Sequence, residues 1–355
     1  MADIQVINAA DPGSLAPFDA IIDVRSPSEF AEDHVPGAIS LPVLDDAERA
    51  LVGTIYVQES RFRARRIGAA VVARNIARHL ETALADKPGE FRPLVYCWRG
   101  GQRSNAMATV LGQVGWRTAV LAGGYRTYRR YVKARLYDEE PALKLVLLDG
   151  PTGTGKTEIL GRLAARGVQT LDLEALAGHR GSLFGGVAGH PQPSQKMFES
   201  RLLAALDALD LSRPIVAEAE SSKIGERMVP PALWKAMSAA RRISLNAPPT
   251  ERARYLARHY ADVVADRAAF DATLARLPVH PGRKALADWR ALADAGDLEA
   301  LAADLIEIHY DPAYDRSSRK SGVAPLATVP MAGLQSEHQD AAAVQIAALL
   351  PTSEE

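Results

Sequence analysis

The one cysteine of the chain, Cys97, opens a loop rich in glycine and arginine: Cys97-Trp98-Arg99-Gly100-Gly101-Gln102-Arg103-Ser104. An apolar run from Pro93 to Tyr96 precedes it, and Met107, Leu111 and Val114 follow at helical spacing. A strand–loop–helix unit of this kind aims successive backbone N–H groups at one point, with a helix N-terminus behind them. Such a field favours a thiolate over a thiol and holds an anion delivered to it. Cys97 is therefore the expected nucleophile, with Trp98, Arg99, Gly100, Gly101, Gln102 and Arg103 as its anion loop. A cysteine without such a loop is more often a small buried hydrophobe. With no second cysteine, an atom loaded on Cys97 leaves only to an acceptor or an external thiol. Disulfide frameworks and cysteine-based zinc sites are excluded. The eight histidines show no metal-ligand spacing, so no structural metal is expected.

A second constellation follows an apolar run, Leu143 to Asp149. Gly150-Pro151-Thr152-Gly153-Thr154-Gly155-Lys156-Thr157 is a full Gly-x4-Gly-Lys-Thr loop, with Ile159, Leu160 and Leu163 giving the next segment a helical apolar face. Gly150, Thr152, Gly153, Thr154 and Gly155 let the backbone wrap a di- or triphosphate. Lys156 supplies a cation, and Thr157 can ligate Mg²⁺. Glu218 and Glu220 end a later apolar run, where a Mg²⁺-associated carboxylate often sits; a carboxylate closing a strand in solvent is the equal alternative. Asp172 and the polar loop His179-Arg180-Gly181-Ser182, with Gly185-Gly186, are expected near the phosphates. His179 alone reads as readily as an ordinary loop histidine.

Net charge is −1, which argues against a uniformly basic coat. The distribution says more. Arg61, Arg63, Arg65, Arg66, Arg74 and Arg78 crowd one segment, and Tyr125-Arg126-Thr127-Tyr128-Arg129-Arg130-Tyr131-Val132-Lys133-Ala134-Arg135 interleaves cations with aromatics. Cations neutralise phosphates and aromatic faces stack on unpaired bases, so Arg61, Arg63, Arg65, Arg66, Arg126, Arg129, Arg130 and Lys133 are expected on a nucleic-acid surface. The competing reading is a solvated helix whose tyrosines pack inward.

Length suggests two domains. Strand-like runs at Asp19–Arg25, Pro93–Tyr96 and Thr118–Leu121 alternate with helical patterns at Ser26–Phe30 and from about 63 to 84, which predicts a parallel sheet covered by helices. In the second half Leu143–Asp149, Val168–Leu173, Pro214–Glu220 and Arg241–Leu245 read as strands. Phe198, Leu202, Leu206 and Leu209 form a core-facing helical stripe. The composition shift at Tyr137-Asp138-Glu139-Glu140-Pro141 marks a linker, giving domains 1–137 and 138–355, the latter with a helical C-terminal part; 351–355 should fray.

Asp23-Val24-Arg25 with Glu29-Phe30, then His34-Val35-Pro36-Gly37-Ala38, the cysteine loop and Leu121-Ala122-Gly123-Gly124-Tyr125 resemble a rhodanese domain, in which the corresponding cysteine carries a persulfide. Cys97 to Arg103 is Cys-x5-Arg, one residue longer than the usual rhodanese loop, and implies a wider anion pocket. That spacing is also similar to phosphatases built on the same fold, although no acid for phosphate chemistry is evident. A rhodanese-like parallel-sheet α/β domain followed by a P-loop NTPase-like α/β domain resembles the tRNA 2-selenouridine synthases. Further marks are Leu171-Asp172-Leu173-Glu174, Gln192-Pro193-Ser194-Gln195-Lys196 and Tyr310-Asp311-Pro312-Ala313-Tyr314; the last has no role evident from sequence.

The resemblance implies a tRNA-modifying transferase acting on the anticodon arm. Wobble 2-thiouridine would be alkylated by geranyl diphosphate to S-geranyl-2-thiouridine. Selenium from selenophosphate, carried on Cys97, would then replace the geranylthio group to give 2-selenouridine. No tightly bound cofactor is implied, Mg²⁺ is expected, and the supply of selenophosphate is the remaining partner, with no obligate protein partner. A diphosphate leaving group needs dense positive charge, which the P-loop and Lys156 offer. The other classes are a sulfurtransferase fused to an ATPase or kinase acting on a small molecule or carrier, and a non-catalytic phosphate- or RNA-binding regulator. ATP turnover independent of tRNA would favour the former. The start Met1-Ala-Asp-Ile-Gln lacks a signal pattern and no apolar stretch approaches spanning length, so a cytoplasmic location away from membranes is expected.

Overall fold

The computed structural model describes residues 4–140, 142–182, 184–186, 191–259, 261–275, 277, 281–321 and 324–350, with 317–321 described by backbone. The terminal segment 351–355, expected to fray, lies outside the described residues. Packing divides the chain into two compact units: Met1–Glu139 with Ser194–Asp207, and Glu140–Pro193 with Ala208–Glu355.

The first unit is built on strands β1 (Gln5–Ile7), β2 (Ala20–Asp23), β3 (Ile39–Ser40), β4 (Pro93–Tyr96) and β5 (Ala119–Leu121). They lie in the order β1-β5-β4-β2-β3, every pair parallel. Central β4 is buried along its whole length, which suits an uninterrupted apolar run in a sheet covered on both faces. Asp23 of β2 pairs with Tyr96 of β4, so Cys97 emerges at the carboxyl edge of the sheet, where open parallel sheets bind ligands. The helix Arg61–Glu81 buries Ala64, Gly68, Val71, Val72, Asn75, Ile76 and His79, a spacing of three and four that turns its arginines outward. Ile22, Val72, Ile76, Val95, Met107, Leu111 and Val120 share the core.

The helix Gln195–Asp207 follows the P-loop in sequence yet packs with this unit. Phe198 and Leu202 are fully buried, as the helical stripe predicts, while Leu209 lies beyond the helix and is half-buried. Tyr131 donates to Asp207 and Tyr137 to Glu199, each at 2.7 Å. Arg129 pairs with Glu199 as well. A single cut after residue 137 would part this helix from the elements it packs on.

The second unit contains β6 (Leu145–Asp149), β7 (Gln169–Leu171), β8 (Ile215–Glu218), the short antiparallel pair β9 (Lys223–Ile224) and β10 (Arg227–Met228), β11 (Arg241–Asn246) and β12 (Ala327–Pro330). Its main sheet runs β12-β11-β6-β8-β7, again all parallel. Val146, Leu148, Ile159, Leu163, Val216 and Ile243 form its core. Helices between Pro249 and Leu305 gather around Phe270, Trp289 and Leu305 as a separate apolar cluster. Sequence patterning anticipates the central strands β2, β4, β5, β6, β8 and β11 and the edge strand β7, but not the edge strands β1 and β12 or the short pair β9–β10.

Candidate active sites

In the first unit the cysteine loop is clamped from below. Gly124, φ +57°, follows β5 and lies so close that a Cβ there would meet the Cys97 carbonyl oxygen at 2.1 Å. Only glycine permits that approach. The N–H of Tyr125 then donates to the Cys97 carbonyl at 2.8 Å, and that of Arg126 to the Trp98 carbonyl at 3.3 Å. Beneath the loop, fully buried Arg25 forks onto Asp23 (3.0 and 2.6 Å) and lies 4.0 Å from the Tyr125 ring centroid.

Cys97 itself is buried. The Gly101 N–H donates to its Sγ at 3.3 Å, and Ser104 Oγ lies 3.3 Å from the same atom. Burial alone would raise the thiol, but the Ser104 hydroxyl and N–H, with the Gly101 and Arg99 N–H groups, outweigh it and hold Cys97 below its ordinary value. The thiol opens onto a cavity of about 630 Å³ whose lining includes Ser28, Glu29, Arg49, Trp98, Arg99, Gln102 and Arg103. Arg99 and Gln102 are exposed at its rim, whereas Trp98 is half-buried against Tyr125.

The Cys-x5-Arg spacing anticipates Arg103 as an anion ligand, but the guanidinium is engaged with Glu29 (2.8 and 3.4 Å). Arg49 approaches the same carboxylate at 3.2 Å. Burial favours the neutral form of Glu29, yet the Arg103 hydrogen bond and charge prevail and keep it below the usual carboxylate range. The cavity's other carboxylate, Glu32, pairs with Lys196 at 2.6 Å. Each of the two carboxylates is thus engaged by a cation. Ser104 and Glu29 stand in motifs quoted from the sequence, but their contacts here, and Arg49 altogether, were not anticipated.

In the second unit the P-loop runs from β6 into the helix Lys156–Ala164. Gly150, Thr152, Gly153, Thr154, Gly155, Lys156 and Thr157 line one cavity of about 380 Å³ together with Glu174, Arg180, Glu220, Tyr255, His259 and Tyr314. Lys156 Nζ donates to the Gly150 carbonyl at 3.1 Å, folded over its own loop. The Thr157 hydroxyl lies 2.7 Å from Glu218 Oε1 and 3.2 Å from Glu174 Oε2. Burial, then the charges of Glu218 and Glu220, push Glu174 well above the usual carboxylate range; burial and the Asp172 charge do the same to Glu218. Such crowded carboxylates fit a cation. Among the described residues no three His, Cys, Asp or Glu are placed to hold a metal. Thr157 with Glu218 instead suits Mg²⁺, which takes one or two carboxylates and keeps several waters.

Other expected members are placed differently. Asp172 caps the helix Leu173–Ala177, accepting from the Ala175 N–H at 2.7 Å. His179 is wedged beside Gly185 and Gly225, and burial lowers its basicity; its ring is not among the groups lining the phosphate cavity. Arg180 lines that cavity but pairs with Asp262 at 2.9 Å. Glu174 was visible only as a family mark.

The cationic clusters divide. Arg61, Arg63, Arg65, Arg66, Arg74 and Arg78 are all exposed, with Arg63 paired to Glu59. Arg126, Arg130 and Lys133 are exposed too. Arg129 is engaged by Asp33 and Glu199. Tyr125 and Tyr128 are buried and serve the interior, while half-buried Tyr131 is tied by its hydroxyl to Asp207. Among the described residues no helix is long and apolar enough to cross a membrane.

Comparison with known proteins matches residues 8–131 to the rhodanese-like domain family and residues 143–276 to the tRNA 2-selenouridine synthase AAA domain family. The tRNA 2-selenouridine synthase of Nitrosomonas europaea is 38% identical over 59% of this chain and 55% of its own length. That of Bdellovibrio bacteriovorus is 36% identical over 58% and 55%. That of Cupriavidus pinatubonensis is 36% identical over 68% and 65%. The chain thus aligns with little more than half the length of the first of these relatives. A rhodanese-related protein from Thermoplasma volcanium, 19% identical over 36% of this chain and 92% of its own, superposes with a TM-score of 0.24, too low to carry an argument. Two domain matches stand in the order the motifs require, beside relatives sharing one name: residues 8–131 form a rhodanese-like domain, residues 143–276 form a tRNA 2-selenouridine synthase AAA domain, and the chain as a whole is similar to the tRNA 2-selenouridine synthases.

Proposed function

We propose that this protein converts wobble 2-thiouridine in the anticodon arm of tRNA to 2-selenouridine in two stages. In the first, the thiocarbonyl sulfur attacks C1 of geranyl diphosphate; the C–O bond breaks, diphosphate leaves, and the base loses its N3 proton to become S-geranyl-2-thiouridine. The P-loop N–H groups and Lys156 receive the departing diphosphate. Thr157 and Glu218 would hold a Mg²⁺ ion that neutralises part of its charge.

In the second stage Cys97, held as a mixed disulfide with a small external thiol, is attacked at Sγ by the selenium of selenophosphate; the S–S bond breaks and frees that thiol, the P–Se bond breaks as water takes the phosphoryl group away as phosphate, and Cys97 is left as Cys–S–Se⁻. That selenium attacks C2 of the base while the C2–S bond breaks and geranylthiol departs. The single cysteine then requires an outside thiol to cleave the S–Se bond and free the product. Arg61, Arg63, Arg65, Arg66, Arg126, Arg130 and Lys133 are assigned to the tRNA backbone; Arg129, engaged internally, leaves that set. The observation that best supports this reading is the occurrence in one chain of a thiol favoured as thiolate and a lysine-bearing diphosphate cradle.

The test supplies purified protein with a 2-thiouridine anticodon stem-loop, Mg²⁺ and geranyl diphosphate, then selenophosphate and a thiol, and follows nucleosides by mass spectrometry. S-geranyl-2-thiouridine should appear first and 2-selenouridine only after selenophosphate. Unmodified 2-thiouridine throughout would overturn the reading.

A further inference from the structure

The Tyr310-Asp311-Pro312 segment, without an evident role in the sequence, lies where a π-helical turn, Ile306–Tyr310, runs into the helix Asp311–Ser321. Asp311 receives a two-pronged hydrogen bond from Arg252, at 2.6 and 3.0 Å. Arg252 stands on the helix Pro249–His259 and is 3% exposed. Its third nitrogen, Nε, donates at 2.9 Å to the carbonyl oxygen of Thr152, inside the P-loop. One guanidinium is thereby held by a carboxylate on one side and holds a backbone carbonyl on the other.

The consequence follows from peptide planarity. The Thr152 carbonyl and the Gly153 N–H belong to one trans peptide unit and point in opposite directions. With the carbonyl fixed on Arg252, the Gly153 N–H is turned away from Arg252. Gly153, at φ +86°, has the conformational freedom that would let this unit flip, and a flip would offer the phosphates an oxygen instead of a donor. We infer that Asp311 and Arg252 are positioning residues that lock the 152–153 peptide of the P-loop with its N–H available to a diphosphate. The inference rests on the P-loop's being the diphosphate site, as proposed above, and adds the device that keeps it in its anion-binding form. Asp311 acts only through Arg252.

Calorimetric titration of the full chain with Mg²⁺ and inorganic pyrophosphate tests it, with thermal melting recorded for each variant. Asp311→Asn and Arg252→Met should each weaken pyrophosphate binding about tenfold or more, the worth of one hydrogen bond to a charged group. The double variant should bind no more weakly than Arg252→Met alone. Arg252→Lys keeps a cation for Asp311 but loses the fork that reaches both partners, so it should melt near the wild type and still bind weakly; it serves if Arg252→Met does not fold. Pyrophosphate affinity unchanged in Asp311→Asn and Arg252→Lys, or an Asp311→Asn effect that persists in the Arg252→Met background, would overturn the inference alone. A wild-type protein that binds no pyrophosphate would overturn the diphosphate reading beneath it.

Discussion

At the scale of single residues, the chemistry of Cys97 rests on the Ser104 hydroxyl and the N–H groups of Ser104, Gly101 and Arg99, set against burial. The rate of alkylation by iodoacetamide should therefore rise with a midpoint below that of an ordinary cysteine thiol. Ser104→Ala removes a donor to the thiolate and should move that midpoint upward; an unchanged midpoint would exclude Ser104 from the role. Glu174 has the opposite problem. Its folded-state pKa is raised above the usual 4.5, so it binds a proton more tightly folded than unfolded. Stability from this group is full below the unfolded value and falls as pH rises from there toward the folded value. Glu174→Gln should consequently melt higher than wild type at pH 8 and little differently near pH 4, and added Mg²⁺ should narrow the gap. The cysteine and P-loop residues were legible because each set is contiguous in sequence. Glu29 was not, since it meets Arg103 across 74 positions, and no local pattern records such a partner.

At the scale of elements, the anion loop depends on how closely the turn after β5 approaches it. Gly124→Ala adds a Cβ at 2.1 Å from the Cys97 carbonyl and demands a left-handed backbone from alanine. The cost should reach at least about 1–3 kcal/mol of stability, read from urea unfolding, with loss of the shifted Cys97 midpoint. Central strands announced themselves as unbroken apolar runs such as Pro93–Tyr96. The edge strands β1 and β12 did not, because an edge has one neighbour and needs little apolar surface. β12, Ala327–Pro330, buries only Val329 and ends in a proline tolerated at a sheet edge. The tyrosines between Tyr125 and Tyr131 show the reverse error: their polar neighbours suggested a base-stacking surface, while the helix turns two of the rings into the core.

At the scale of the whole molecule, charge distribution separates arginines that fold the chain from the exposed ones that the proposed function assigns to tRNA. Replacing Arg61, Arg65 and Arg66 by alanine should weaken tRNA binding, with melting unchanged. The salt dependence of binding should become shallower by about one unit of slope for each phosphate left without its arginine. Arg129→Ala should behave otherwise. It leaves Glu199, 2% exposed, without its cation and should lower stability by about 1–3 kcal/mol. The same sequence-distant partnership explains why a helix beyond the P-loop belongs to the first unit: its anchors, Arg129, Tyr131 and Tyr137, lie some sixty to seventy-six positions away.

The central claim is a division of labour between Cys97 and Lys156, and nucleoside mass spectrometry of tRNA from cells carrying single substitutions tests it most directly. Cys97→Ser should accumulate S-geranyl-2-thiouridine without 2-selenouridine, whereas Lys156→Ala should leave 2-thiouridine. Both variants stopping at the same nucleoside would contradict the account.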